Sequence, residues 1–157
     1  MFNLFGKSKP LSIRAPFEGK IVDITNVSDQ AFSSKMIGDG VAVKPDSNIA
    51  VAPCDGTVTQ IFPTNHAFVL TTKEGLEILV HIGINTVKLK GEGFKRLIEV
   101  GSEVKKGVGI IEVDLAYIEA SGKDTITPII ITNMDKVESM EKNFNNEKEV
   151  LKIKVKK

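Results

Sequence analysis

The chain has 157 residues, 21 Lys and Arg against 20 Asp and Glu, a net charge of +1, two His and a single Cys. That length and a hydrophobic share of 41% suit one globular domain with a core of its own, and exclude a disordered tail or a collagen. The charge balance gives no reason to expect nucleic acid as a partner, and one cysteine excludes an internal disulfide and points to a reducing compartment.

Residues 1–7 lack the apolar stretch and cleavage site of a secretory signal; a frayed terminus is the expected reading, with at most a weak amphipathic contact with a membrane. Residues 1–11 are expected to form a short flexible leader, and 12–157 a single domain. Ala15-Pro16-Phe17-Glu18-Gly19 recurs downstream as Ala52-Pro53-Cys54-Asp55-Gly56. In both copies Pro fixes φ and Gly permits a tight turn before a β-branched run. Strands are expected at 21–24, 41–44, 57–61 and 129–131, where β-branched residues lie between turn formers. The longest run without Asp, Glu, Lys or Arg, 56–72, contains Gln60, Pro63, Asn65 and His66. It is too polar for a span of about 20 apolar residues, and a cytoplasmic protein is expected.

Short helices are expected at 92–100, with Phe94, Leu97 and Ile98 at helical spacing, and at 114–120. Residues 137–148 are charged and Asn-rich, and read as a short helix or a loop. Leu151, Ile153 and Val155 alternate with Lys152, Lys154 and Lys156, the pattern of a half-buried strand at a sheet edge with a solvated lysine face. The expected class is all-β: an antiparallel sandwich or barrel-like single domain with one or two short helices.

Most catalytic signatures are missing. No glycine cluster forms a phosphate loop, no Ser sits in a Gly-x-Ser-x-Gly elbow, and Asp55 beside Cys54 disfavours the thiolate. The two histidines are different, because both fall in one expected hairpin, His66 before the run 67–71 and His81 within 76–82. Register decides how they meet. A four-residue loop sets them directly opposite, and a two-residue turn sets them diagonal on one face. A three-residue loop sends them to opposite faces. Ile78, Val80, Ile82 and Ile84 claim one face of the second strand and leave His81 with Leu79 and Gly83 on the other. Directly opposed residues have Cβ atoms about 5 Å apart, close enough for two imidazoles to share one ion or one phosphoryl group. A metal site needs further ligands, and no third His and no nearby Cys offers one.

Several segments, in order, carry a resemblance. They are Ala52-Pro53-x-x-Gly56, Thr64-Asn65-His66-Ala67, Leu79-Val80-His81-Ile82-Gly83-Ile84, Lys88-Leu89-Lys90-Gly91-Glu92-Gly93-Phe94, and Thr127-Pro128-x-x-Ile131-x-Asn133-Met134-Asp135. Together they resemble the glucose-type enzyme IIA of the bacterial sugar phosphotransferase system, a family of antiparallel β-sandwiches. The resemblance implies a cytoplasmic phosphocarrier of one domain, expected as a monomer. In it His81 takes a phosphoryl group on Nε2 from the phosphohistidine of HPr and passes it to a cysteine of enzyme IIB. It further implies that His66 steadies the phosphoryl group, that Thr64 orients His66, and that the carbonyl of Gly83 holds Nδ1 of His81. No cofactor, ATP or metal is implied. Phe62, Met36, Ile37, Leu79 and Val87 match an apolar rim that meets HPr, and Asp29 matches an acidic contact. The family usually has Asp four residues after the active histidine; here it is Asn85, which removes one charge from the partner contact. Two other classes stand beside this one. A lipoyl- or biotinyl-type carrier, suggested by the Ala-Pro-x-x-Gly turns and by residues 101–107, lacks a modifiable lysine at a hairpin tip. A zinc-dependent β-sandwich hydrolase lacks a His-x-His pair and a third ligand.

Overall fold

Runs of three to seven β-branched and apolar residues between Gly, Pro and Asn favour many short strands over long helices. In the computed structural model, which describes residues 9–157, that is how the chain folds. First come β1 (Leu11–Ile13), β2 (Gly19–Asp23), helix α1 (Gln30–Ser33), β3 (Asp39–Pro45), β4 (Ile49–Val51) and β5 (Gly56–Ile61). The hairpin of β6 (Ala67–Thr71) and β7 (Glu77–His81) follows, then β8 (Phe94–Arg96), β9 (Glu103–Val104) and β10 (Gly109–Val113). The last elements are helix α2 (Leu115–Ala120), β11 (Thr127–Ile131), β12 (Val137–Lys142) and β13 (Leu151–Val155). A seven-stranded sheet in the order β2-β3-β11-β7-β6-β5-β9 packs with two three-stranded sheets, β1-β13-β12 and β4-β10-β8. All the pairings are antiparallel. The all-β sandwich with two short helices is therefore the observed class.

The middle of the seven-stranded sheet is buried on both faces. Phe68, Leu70, Ile78, Val80 and Ile82 join the larger core with Phe17, Ile111 and Ile153. Ala67, Leu79 and Ile130 face a smaller cluster capped by Ile24, Val27 and Phe32 from the segment around α1. This double coverage explains why β11, between β3 and β7, is buried along its whole length and reads as an uninterrupted apolar run. The repeated Ala-Pro-x-x-Gly turns lie side by side. The Arg14 N–H donates to the Pro53 carbonyl and the Val51 N–H to the Pro16 carbonyl, at 2.9 and 2.8 Å.

Four expectations need correction. Residues 92–100 are not a helix. Gly93, at φ 89°, leads straight into β8, which pairs with β10. Of the apolar trio there, Leu97 is left 41% exposed, so the helical spacing marks no buried stripe. Residues 137–148 are neither helix nor loop at their start, because β12 occupies Val137–Lys142 against β13. The strand β13 is not an edge; it lies between β1 and β12, and its lysines mark the solvent face of a central strand. Lys154 pairs there with Glu138 at 3.4 Å. Finally, Leu11 of the expected leader pairs with Ile153 as part of β1. The expected membrane contact of residues 1–7 lies outside the described residues. Among the described residues, no helix is long and apolar enough to cross a membrane.

Candidate active site

The β6–β7 hairpin pairs Ala67 with His81, Val69 with Leu79 and Thr71 with Glu77. The Thr72 N–H donates to the Leu76 carbonyl at 2.9 Å around Lys73, Glu74 and Gly75. This is the three-residue-loop register, which strict alternation would turn into histidines on opposite faces. Instead their ring centroids are 4.9 Å apart, with the planes at 81°. The reason is that His66 is not a strand residue. The Phe62 N–H donates to the Ala67 carbonyl at 2.9 Å, closing a turn of Pro63, Thr64, Asn65 and His66 in which Asn65 has φ 60°. Alternation stops at Ala67, and the turn sets the direction of His66.

His81 is fixed by the end of its own strand. Pairing of β7 with β11 stops at Val80 and Ile129, and the next residue of β11, Pro128, has no N–H to extend the ladder. Two residues later Gly83, at φ 75°, turns the chain so that its carbonyl lies 2.7 Å from Nδ1 of His81. A carbonyl only accepts, so Nδ1 carries the proton and Nε2 is left with its lone pair. The turn is braced by the buried Thr86 hydroxyl, which donates to the Ile82 carbonyl at 2.6 Å. The Ile84 N–H donates to the Asp124 carbonyl at 2.9 Å. The positive φ at Gly83 also breaks the alternation, so Ile84 joins the smaller cluster and not the face of Ile78, Val80 and Ile82.

His66 is 4% exposed, with Nδ1 at 2.5 Å from the Thr64 hydroxyl and the Phe62 ring packed edge-on at 5.4 Å between centroids. Burial, reinforced by the neighbouring His81, pushes its pKa down to about 4. Burial also lowers the pKa of His81, opposed by its bond to the Gly83 carbonyl and by the Asp29 carboxylate. Both rings are thus neutral near pH 7. An unfolded chain binds protons on these rings below about pH 6.5 that the folded protein does not, so acidification from there costs stability.

The rim is only partly as expected. Met36 and Val87 are 78% and 51% exposed, while Phe62 and Ile37 are half-buried against the smaller cluster. Leu79 is a correction: at 8% exposure it belongs to the floor, because its strand position faces Ala67, Ile130 and the α1 segment. Asp29 has a structural task as the N-cap of α1, accepting from the Ala31 N–H at 2.9 Å. Asn85 is exposed at φ 60°, a left-handed position that Asn and Asp both tolerate. Phe32 escaped the sequence reading, although its ring packs on His81 at 5.1 Å between centroids. The signal available was an Asp able to cap a helix three residues earlier, which places Phe32 and Asp29 on one side of a single turn.

Elsewhere the chemistry is sparse. Cys54 is buried and its thiol is pushed up to about 12, by burial and then by Asp55, which leaves it inert. A groove of about 970 Å³ runs along β5 and β9, lined by residues such as Thr57, Thr71, Glu103 and Lys105, and neither histidine borders it. Among the described residues no group of three or more His, Cys, Asp or Glu side chains is placed to hold a metal ion.

Comparison with known proteins places these features in a family. Residues 11–137 match the family described as the phosphoenolpyruvate-dependent sugar phosphotransferase system, EIIA 1. The glucose-specific EIIA component of Borreliella burgdorferi is 49% identical over 142 residues, covering 90% of this chain and 75% of the relative. That of Haemophilus influenzae is 51% identical over 138 residues, covering 85% of this chain and 83% of the relative. The N-acetylglucosamine-specific EIICBA component of Klebsiella pneumoniae is 52% identical over 124 residues, which are 79% of this chain but 19% of that longer protein. The solved glucose permease IIA from Mycoplasma capricolum superposes with a TM-score of 0.83 at 36% identity, covering 93% of this chain and 96% of that one.

Proposed function

Since this chain belongs to the EIIA 1 family of the phosphoenolpyruvate-dependent sugar phosphotransferase system, we propose that it is a cytoplasmic phosphocarrier in which His81 relays a phosphoryl group. The donor is the phosphohistidine of HPr and the acceptor a cysteine of an enzyme IIB domain. Relatives in which a homologous segment forms part of an EIICBA component are consistent with a IIB partner. The observation that carries the reading is the bond from Nδ1 of His81 to the Gly83 carbonyl, with a second neutral imidazole against the same ring.

The chemistry follows from that arrangement. The Nε2 lone pair of His81 attacks phosphorus, the donor's P–N bond breaks, and its electron pair returns to the donor ring. In the second step the acceptor thiolate attacks, the P–N bond to His81 breaks, and the pair returns to Nε2. The proton stays on Nδ1 throughout, donated to the Gly83 carbonyl, and that carbonyl stabilises the ring as it takes on positive character. Phosphoryl transfer demands in-line positioning and charge neutralisation more than covalent steps, and no cofactor is needed. When the Thr64 hydroxyl donates to Nδ1 of His66, the proton of that ring sits on Nε2, ready for a phosphoryl oxygen on His81. Met36, Ile37, Phe62 and Val87 frame a flat apolar contact around the site, suited to a brief encounter of monomers.

The test is transfer from phosphoenolpyruvate through enzyme I and HPr, with IIB added in a second step. His66→Gln is expected to accept phosphate on His81 within about threefold of the unmodified rate, yet to pass it on at least about 100-fold more slowly, the scale of losing one preorganised donor. It should also soften the loss of stability between pH 7 and pH 5 in urea titrations. Equal slowing of both steps would contradict the division of labour. Asn85→Asp is expected to tighten HPr binding and steepen its salt dependence, because it adds a charge at the exposed rim. Identical affinities across a salt series would remove Asn85 from the contact.

A further inference from the structure

The turn that carries His66 is held from another sheet. The Nε and Nη2 groups of Arg96 both donate to Oδ1 of Asn65, at 3.1 and 2.9 Å. Arg96 ends β8, where it pairs with Ile111 of β10, whereas Asn65 sits between β5 and β6 of the seven-stranded sheet. Asn65 has φ 60°, and its N–H donates to the Phe62 carbonyl at 2.7 Å. It lies directly between Thr64 and His66, whose side chains bond each other. Gly91, a few residues before Arg96, lies against the same turn: a Cβ there would be 3.8 Å from the Thr64 carbonyl oxygen. A guanidinium presents a rigid fork, and two donors on one oxygen fix the amide in direction as well as in distance.

We propose that Arg96 and Asn65 are positioning residues that hold the Thr64–His66 turn so that His66 meets the phosphoryl group on His81. The inference rests on the phosphocarrier reading. The Ile82 N–H donates to the His66 carbonyl at 2.7 Å and so ties that end of the turn to β7. A bond to the carbonyl still leaves the Thr64–Asn65 segment, and with it the direction of the imidazole, to be set from the other side of the turn. Displacements of an ångström in a group that must meet a transferring phosphoryl are enough to cost large factors in rate. Arg96 acts through geometry rather than through its field, because the groups that shift the protonation of His66 are its own burial and His81.

Four variants separate positioning from simple stability. Arg96→Ala removes the fork, and Arg96→Lys keeps the charge without it. Asn65→Gly keeps the left-handed backbone accessible but removes the acceptor, whereas Asn65→Asp keeps an acceptor oxygen for Arg96. Each is measured for phosphoryl acceptance from HPr, transfer to IIB, thermal midpoint, and the imidazole nitrogen shifts of His66 in the unphosphorylated protein. Arg96→Ala, Arg96→Lys and Asn65→Gly are expected to slow transfer to IIB about tenfold, with acceptance within about twofold and altered His66 nitrogen shifts. The Arg96→Ala, Asn65→Gly double variant should be no slower than either single one. Asn65→Asp should retain the unmodified rate and shifts. Unchanged transfer in Arg96→Ala and Asn65→Gly would overturn the proposal, as would Asn65→Asp behaving like Asn65→Gly. A parallel fall of both steps with the thermal midpoint would also overturn it, by reducing the pair to a structural tie. If unmodified protein takes no phosphate on His81, the phosphocarrier reading itself fails, and the nitrogen shifts still report whether the pair orients His66.

Discussion

His81→Gln is expected to abolish phosphoryl acceptance while leaving the fold intact. Gln can imitate the reach of an imidazole, but its amide nitrogen has no available lone pair, so nothing remains to attack phosphorus. The other ring is a poor substitute. His66 is 4% exposed and its Nδ1 is engaged by Thr64, so a donor protein has little access to it. The fold should tolerate the change because His81 lies at the end of β7, half-buried, with one side-chain hydrogen bond to a carbonyl. A cost near 1 kcal/mol is the scale for losing such a bond. The check is a radiolabel chase from phosphoenolpyruvate through enzyme I and HPr, beside a thermal melt. Label on the variant at more than about a hundredth of the unmodified level would show that another residue accepts phosphate.

Gly83→Ala carries the second large effect, and here stability and activity fall together. At φ 75° an alanine is strained by roughly 1–2 kcal/mol. Its Cβ would also stand 2.6 Å from the Thr86 methyl and 2.8 Å from the Asp124 carbonyl oxygen. The second contact is backbone and yields only by moving the loop that braces Ile84, and such overpacking costs a further 1–3 kcal/mol or so. Whatever moves, the carbonyl of residue 83 moves with it. Without that acceptor, His81 is free to place its proton on Nε2, where the lone pair is needed. Acceptance is expected to fall by about 10- to 100-fold. Gly122→Ala is the control: it has φ 78° but nothing within 4 Å, so it bears the strain without the clash. It should lower the thermal midpoint slightly and accept phosphate normally. Equal activity in the two variants would show that the Gly83 turn does not set the state of His81.

The class of fold was legible because β-branched runs between turn residues leave little else to build. The expected strands at 41–44, 57–61 and 129–131 fall within β3, β5 and β11. Expectation and structure part where tertiary pairing overrides local pattern. Phe94, Leu97 and Ile98 happen to be spaced like a helix, but β10 offers an open edge and takes Phe94–Arg96 as a strand. Charged β12 has one exposed face and so lacks the apolar run that would have marked it. The alternation after Leu151 puts the lysines on a solvent face, yet a face does not reveal whether a strand is central or at an edge.

The candidate site was legible in its two histidines and illegible in how they meet. Strand register speaks only for strand residues, and the register present is the one that sends positions 66 and 81 to opposite faces when both lie in strands. The Phe62–Ala67 turn rescues the contact, because His66 belongs to it and not to β6. No periodicity could place Phe32 on His81 or Arg96 on Asn65, since each joins segments that the sheet order alone brings together.

In the proposed relay, one nitrogen of one ring carries the phosphoryl group. Nuclear magnetic resonance of the nitrogen-labelled protein, phosphorylated through HPr, reads this directly from phosphorus–nitrogen coupling and the imidazole shifts. The expected result is phosphate on Nε2 of His81, with Nδ1 of the same ring still protonated and His66 unmodified. Phosphate on Nδ1 of His81, or on either nitrogen of His66, would contradict it.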